Sequence, residues 1–555
     1  MIDRDGQFTW DEDNVFDGIR QDVSESVRKY RIVRNCHFAN RGALTKDRGV
    51  KPLHASRIGS TGKNTTGLLD CHFNNGTQIL VAVNEGASNA DAYTFDNTSR
   101  AWTAQSVSIA NAVRPMMVMF ADQLHIADGT TLRRMNASKS WSTPGESTYS
   151  NPCKFGTVYA NRLILSGNAN YPQSFFPSDV RDSGTWDASL AVDVTEAQGE
   201  RITALGTLGT FLIVGGETFT RAYYLGTASP RDWDGDVLSS RVGPVHHSSY
   251  VEVPAAGGNA SSNFGFFWSR EGPMMLAQIG SGLPVMKSLA DPLRRAIRGI
   301  TFEGLDGLAV ESYDDVTAAY VPEYDEIRFS LIKKDNYSAT ARADTVYCLS
   351  LASAIAYADR PWENAPIWRI RDNGNQTLPC STLATARLHP DTHLPSVDGT
   401  VRGLSAQDGF VYEMDAIDQY VDNIEGTDYS IPFLVRKDNY DGHEDGVRSH
   451  TKSLRTGWFR TTMVGEYTLF TRAIVDGGRS ESVGSISLDA GLNTWGDGSV
   501  WGDGDDWNNS EFVNSRSGLG ILGKKFDLEL YDNGNIQGDF QLNSWSLLGY
   551  VEDRR

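Results

Sequence analysis

Cysteine is scarce in this chain. Five occur in 555 residues, Cys36, Cys71, Cys153, Cys348 and Cys380, and none stands in a CxxC pair. So odd and scattered a set excludes a disulfide framework and a zinc ribbon and leaves reduced, buried thiols. Long apolar runs are missing too. Nothing approaches the ~20 consecutive apolar residues of a membrane helix, and the opening MIDRDGQFTWDED has neither the basic start nor the apolar stretch of a secretory signal. A soluble chain without membrane insertion is expected. Positive charge is in short supply: 51 Lys and Arg stand against 70 Asp and Glu, for a net charge of −19. That balance disfavours wrapping DNA or lying on an anionic membrane through the whole surface, while leaving room for a local basic patch. Neither the GxSxG elbow of serine hydrolases nor the HExxH helix of zinc proteases occurs.

What is present reads as a folded protein. Hydrophobic residues make up 40%, charged residues 22% and aromatics 10%, with 54 glycines, and the length suits three or four domains or one large repeat architecture. A repeat is there. FADQLHIADG from Phe120 and YANRLILSGN from Tyr159 share an aromatic, Ala, Asp/Asn and Leu, then an alternating strand that runs into a glycine turn, 39 residues apart. The pattern N-x-S-[R/K]-x-W, at Asn97 to Trp102 and Asn136 to Trp141, repeats at the same distance. Each unit reads as short strands separated by polar turns. A period of ~40 residues with several strands per unit predicts a β-propeller. Less regular continuations at 202–226, 264–277, 316–332 and 403–415 imply insertions.

The predicted fold is mainly β: an irregular propeller over 56–430 and an antiparallel β domain over 431–555. Over 286–300, Leu289, Leu293, Ile297 and Ile300 fall on one face at helical spacing, with Pro292 near the start, which predicts an inserted helix. Residues 1–55 have few sustained apolar runs and read as an extended arm that docks on a partner. The stretch 436–452 is polar and turn-rich, with Arg436, Lys437, Arg448 and Lys452, and reads as an exposed gating or interface loop.

Candidate chemistry is thin. Gly59 to Asn64, GSTGKN, lacks both the four-residue gap and the Ser/Thr after Lys of a phosphate loop. Cys36-His37, Cys71-His72 and His246-His247 are adjacent pairs, which on strands point to opposite faces and so suit no shared metal. Trp495, Trp501 and Trp507 alternate with Asp-Gly pairs. Calcium is one reading, but a calcium loop starting at Asp503 would need Glu where Asn514 stands, so the tryptophans are read, with Trp102 and Trp141, as packing anchors. Asp193, Glu196, Glu200, Asp314 and Asp315 are available for glycoside hydrolysis, which needs two carboxylates at a set separation. No catalytic, cofactor or metal residue is assigned, and the chain is read as a non-enzyme.

RNCHFANRGALTKDRGVKPL (34–53), YANRLILSGNANYPQSFFPSDVRDSGTWD (159–187), ITALGTLGTFLIVGGETFTRAYYLG (202–226) and FFWSREGPMML (266–276) resemble successive passages of the tail nozzle proteins of short-tailed bacteriophages, also called tail tubular protein B or DNA-stabilisation proteins. SVWGDGDDW (499–507) is similar to W-D phrases near the C-termini of phage head–tail proteins. The resemblance implies a structural virion protein, assembled in the host cytoplasm and located in the virion tail. It would form a ring, usually of six copies, below the portal and adaptor ring, with tail fibres or a needle as further neighbours. Double-stranded DNA would pass through the lumen without sequence-specific binding, the ring acting as conduit and retention gate during ejection. An acidic lumen fits that role, because each Lys or Arg contact to phosphate would hold the DNA back. The competing reading is a carbohydrate-binding or glycoside-hydrolysing propeller at a host surface.

Overall fold

The computed structural model describes residues 7–13, 30–38, 44–59, 63–111, 114–144, 152–194, 199–224, 229–253, 262–280, 282–301, 305–338, 340–359, 366–374, 377–417, 419–440, 451–462, 468–476, 479–487, 512–523, 526–532, 534, 536 and 540–551. Strands that alternate with tight turns build six small antiparallel sheets of four or five strands each, together with one nine-stranded and one six-stranded sheet. The small sheets are propeller blades. In chain order, blade 1 comprises Thr65–His72, Gln78–Asn84, Ala90–Asp96 and Ala101–Ile109; blade 2 runs from Met116–Phe120 to Trp141–Ser142, blade 3 from Phe155–Tyr159 to Val192–Asp193, blade 4 from Ala204–Leu208 to Asp234–Ser239 and blade 5 from Val251–Val253 to Val285–Ser288. Four strands at one end of the nine-stranded sheet, Thr317–Val321, Glu326–Leu331, Thr345–Ser350 and Trp368–Asp372, take the next place as blade 6. Blade 7 holds Thr382–Leu388, Thr400–Gln407 and Phe410–Glu413, and its outer strand is Lys51–Pro52, from ahead of blade 1.

The innermost strands lie side by side in chain order and close into a ring, the Thr382 hydroxyl donating to the Thr65 carbonyl at 2.7 Å across the closure. Burial follows the same plan, since each blade covers its neighbour's face. One apolar cluster joins blades 1 and 2, another blades 4 and 5, another blades 6 and 7, and Leu404, Ala406 and Val411 of blade 7 meet Leu68, Leu80 and Phe95 of blade 1.

Both sequence echoes are hairpin turns. Ala121-Asp122 and Ala160-Asn161 link the first two strands of blades 2 and 3 with positive φ at both residues, as a two-residue turn between twisted strands requires. The N-x-S-[R/K]-x-W phrases turn between the last two strands of blades 1 and 2, with Arg100 and Lys139 in the left-handed region.

Three expectations change. The helix predicted over 286–300 shrinks: Val285–Ser288 is the outer strand of blade 5, followed by a 3₁₀ turn at Asp291–Leu293 and one α turn at Arg294–Ile297. Backbone pairing of Val285–Ser288 with Met274–Ala277 overrides the helical spacing, and Gly299 at φ +70° ends the turn, leaving Ile300 half exposed. The described strands of the N-terminal segment pair within the chain. Gln7–Asp13 pairs with the chain's own C-terminal strand Gln541–Val551, and Tyr30–Arg34 lies parallel to Trp368–Asp372 in the nine-stranded sheet. Finally, residues 436–440 belong to strand Leu434–Tyr440 and residue 452 opens strand Lys452–Thr462. The nine-stranded sheet runs on from blade 6 through Tyr30–Arg34 into Leu434–Tyr440, Phe526–Tyr531, Thr468–Val475 and Arg479–Ser487. Propeller and C-terminal region therefore share one sheet.

Blade contacts are tight enough to test. A Cβ on Gly206, in the innermost strand of blade 4, would lie 2.2 Å from the Tyr250 ring at the entry to blade 5. Gly206→Val is expected to cost about 1–3 kcal/mol by overpacking, read as a lower urea midpoint. An unchanged midpoint would contradict the packing.

Candidate functional site

Two places concentrate polar chemistry. The first is a cavity of ≈ 360 Å³ lined by Asn64, Thr66, Glu85, Arg114, Lys154, His246, Ser312, Asp314, Asp315, Arg342 and Ser381, among others. Asn64, Arg114, Lys154, Asp315 and Ser381 each sit within two residues of the start of an innermost strand, in blades 1, 2, 3, 6 and 7. A cavity fed by so many blades at the same strand end lies on the propeller axis. Its acids are engaged: Asp314 with Arg270 at 2.7 Å, and Glu85 with Arg342 at 3.7 Å and with the Asn64 amide N–H at 3.1 Å. Burial pushes the Asp314 carboxyl up, against the pull of Arg270. Arg114 donates to the Thr382 hydroxyl at 3.1 Å, and its carboxylate neighbour Asp315 is 4.0 Å away and exposed. Burial lowers the Arg114 pKa. His246 of the lining and its neighbour His247 lie tilted to each other with ring centroids 4.2 Å apart, both held below the usual histidine range by burial.

The second place is the seam where blade 6 becomes the C-terminal sheet. Strand Trp368–Asp372 alternates, so Trp368 and Ile370 enter the apolar core while Arg369 and Arg371 face the other way. That other face is buried as well. Arg369 holds Glu326 through two bonds, Nε to Oε1 at 2.5 Å and Nη2 to Oε2 at 2.7 Å, and its Nη1 reaches Asp47 at 2.5 Å. Arg328 pairs with Asp415 at 2.7 Å and Glu326 at 3.2 Å, and Arg371 with Asp422 at 2.5 Å. Lys46 bonds Asp532 at 2.6 Å, and Arg436 bonds Asp527 at 2.8 Å. Burial pushes the Asp47 carboxyl up, but Arg369 and His37 more than reverse it and hold it well below the carboxylate range. The N-terminal segment and the propeller thus share one buried ion network, and separate buried pairs beside it reach Asp527 and Asp532 near the C-terminus.

The sequence candidates scatter. Arg436 and Lys437, read as exposed loop residues, are buried in the seam, because their strand is interior to the sheet. Arg448, Glu196, Trp495, Trp501 and Trp507 lie outside the described residues, and of Lys452 only the backbone is described. Trp102 packs edge-on against Phe95 and His54, and Trp141 donates to Gln105 at 3.4 Å. Asp314 and Asp315 meet at the axial cavity; Asp193 accepts from Ser174 in blade 3, and Glu200 accepts from the Thr218 backbone at 2.7 Å. All five cysteines are buried, and among the described residues no group of three or more His, Cys, Asp or Glu is placed to hold a metal. Among the described residues no helix is long and apolar enough to cross a membrane. Arg328, Arg369 and Arg371 escaped the sequence reading; their alternation with apolar residues looks like a solvated strand face.

No protein-family model matches the chain, and no curated protein does. Among solved structures, the N-terminal domain of Nup159 is 11% identical with a TM-score of 0.35, covering 66% of this chain and 95% of its own. An exo-beta-1,3-galactanase from Phanerochaete chrysosporium, solved with galactose, is 9% identical with a TM-score of 0.26, covering 91% and 100%. Likenesses at this level decide nothing about activity.

Proposed function

We propose that this chain is a structural subunit of a short phage tail: copies of it ring a lumen below the portal and adaptor and conduct and retain double-stranded DNA. The observation that carries the reading is the shared nine-stranded sheet with its buried ion network. Domains in one chain move relative to each other by default unless the interface between them is large. A sheet running unbroken from propeller to C-terminal region removes that freedom, which suits a subunit that must hold a fixed angle to its neighbours. The passages resembling nozzle proteins fall in blades 3, 4 and 5 and at the seam. The net charge of −19 favours free passage of DNA over adhesion.

Electron cryomicroscopy of the purified chain tests this. The expected particle is a closed ring, six subunits around an acidic lumen wide enough for a duplex. A lumen lined mainly by Lys and Arg, or a particle without a ring, overturns it.

Carbohydrate binding is the second reading, and one observation favours it. A cavity of ≈ 880 Å³ at the opposite strand ends of blades 3 to 5 brings Tyr159, Phe211 and Tyr224 near Asp236 and Glu252. Glu252 already accepts from the Thr207 hydroxyl and the Gly209 N–H, which ties it to the hairpin instead of a ligand.

A further inference from the structure

The axial cavity contains more polar valence than the protein itself satisfies. Asn64 and Thr66 are 4% and 7% exposed, yet Asn64 Oδ1 and Thr66 Oγ1 are buried without a hydrogen-bond partner, and so is Arg114 Nε. Native interiors rarely leave such groups unmade, because each costs the desolvation of a polar atom. All three belong to residues that line the one cavity. Charge says what kind of ligand suits them. Asp314 and Glu85 each have their own guanidinium, whereas Arg114 has only a distant, exposed carboxylate at 4.0 Å and Lys154 forms no ion pair among the described residues. Arg114 and Lys154 are therefore the cations of the lining that no carboxylate among the described residues holds at close range.

We infer that the axial cavity binds a small oxyanion, a phosphate or a carboxylate, between the Arg114 guanidinium and the Lys154 ammonium. The Thr66 hydroxyl donates a third hydrogen bond, and the Asn64 side-chain amide, whose Oδ1 has no hydrogen-bond partner, turns its NH₂ to the anion. Charge-assisted bonds to a partly buried guanidinium are stronger than neutral ones and favour a planar or tetrahedral oxyanion over chloride. The volume of ≈ 360 Å³ admits an anion of the size of phosphate or citrate with a few waters, and excludes a duplex. The site belongs to the single propeller and does not depend on ring assembly.

Isothermal titration calorimetry of the full chain with inorganic phosphate and with citrate, at pH 7.5 in low salt and against a chloride control, tests the site. One saturable event per chain is expected for at least one of the two anions. Lys154→Ala, at an exposed position, should weaken it at least fivefold with unfolding unchanged, and Arg114→Gln should weaken it at least tenfold. If Arg114→Gln fails to fold, Lys154→Ala alone decides. No saturable heat with either anion, or an affinity indifferent to Lys154→Ala, overturns the inference and leaves the three polar groups to water.

Discussion

Arg369→Ala is expected to destabilise the folded chain by about 3–5 kcal/mol. The side chain is 2% exposed and holds Glu326 and Asp47, themselves 8% and 1% exposed, so removing it strands two buried carboxylates at once. Arg328 remains on Glu326 and His37 on Asp47, which keeps the loss within that range. The effect should be local in origin and global in reach, because Asp47 comes from the N-terminal segment and Glu326 from blade 6. Urea unfolding should also lose cooperativity, with the C-terminal sheet melting before the propeller. Glu326→Gln combined with Arg369→Met should cost less than the two single changes added together, as neighbours in one network do. A loss below about 1 kcal/mol for Arg369→Ala would mean that the seam is a solvated surface network, whose pairs are worth that little.

Acid should have an effect of similar size, and through histidines more than carboxylates. His54 and His125 are buried and their pKa values are held down to about 4, by burial first and against a helpful backbone carbonyl in each case. His54 shows why. Its Nδ1 faces the Ser56 carbonyl at 2.6 Å and its Nε2 accepts the Val411 N–H at 3.1 Å, so a second proton would meet a donor. Phe410 stacks on the ring and Trp102 closes its edge. A folded pKa below the unfolded value of about 6.5 means that the unfolded chain binds protons first as pH falls. Stability is then complete above about pH 6.5 and drains away toward pH 4, by about 2 kcal/mol for each histidine at pH 5. His247, held down to about 3, adds to the same window. Asp47 behaves likewise lower down: its depressed pKa supplies stability above about pH 4 that is lost below it. Unfolding midpoints measured at pH 7.5 and pH 5 check this, with His125→Leu as the residue-level control. His125 Nε2 has no partner, so its replacement should be nearly neutral at pH 7.5 and shrink the difference between the two pH values. A midpoint independent of pH between 7.5 and 5 would contradict the burial of these rings.

The parts of the fold legible in the sequence are those governed by local rules. The 39-residue echoes are legible because blades 2 and 3 share a two-residue turn and blades 1 and 2 share a longer polar turn, each at the same place in the blade, and such turns demand particular residues. Blade 6 hides. Helix Leu351–Asp359 is inserted between its third and fourth strands, and that fourth strand continues into another sheet. Blade 7 borrows Lys51–Pro52 from far away in the chain, which no local pattern can announce. The seam was misread for a physical reason. W-R-I-R-D at 368–372 carries the alternation of a half-solvated strand, and only tertiary contacts reveal that acids from 47, 415 and 422 cover the charged face. At the axial cavity, Asn64, Arg114 and Lys154 are ordinary loop residues in sequence, and only closure of the ring brings them together.

The proposed conduit depends on whether a chain built as one stiff body assembles into a ring. Multi-angle light scattering at pH 7.5 measures that directly. The expected mass is about six times the 61.0 kDa of one chain, with no dissociation on dilution to micromolar concentration. A stable particle of 61.0 kDa across the same range would contradict it.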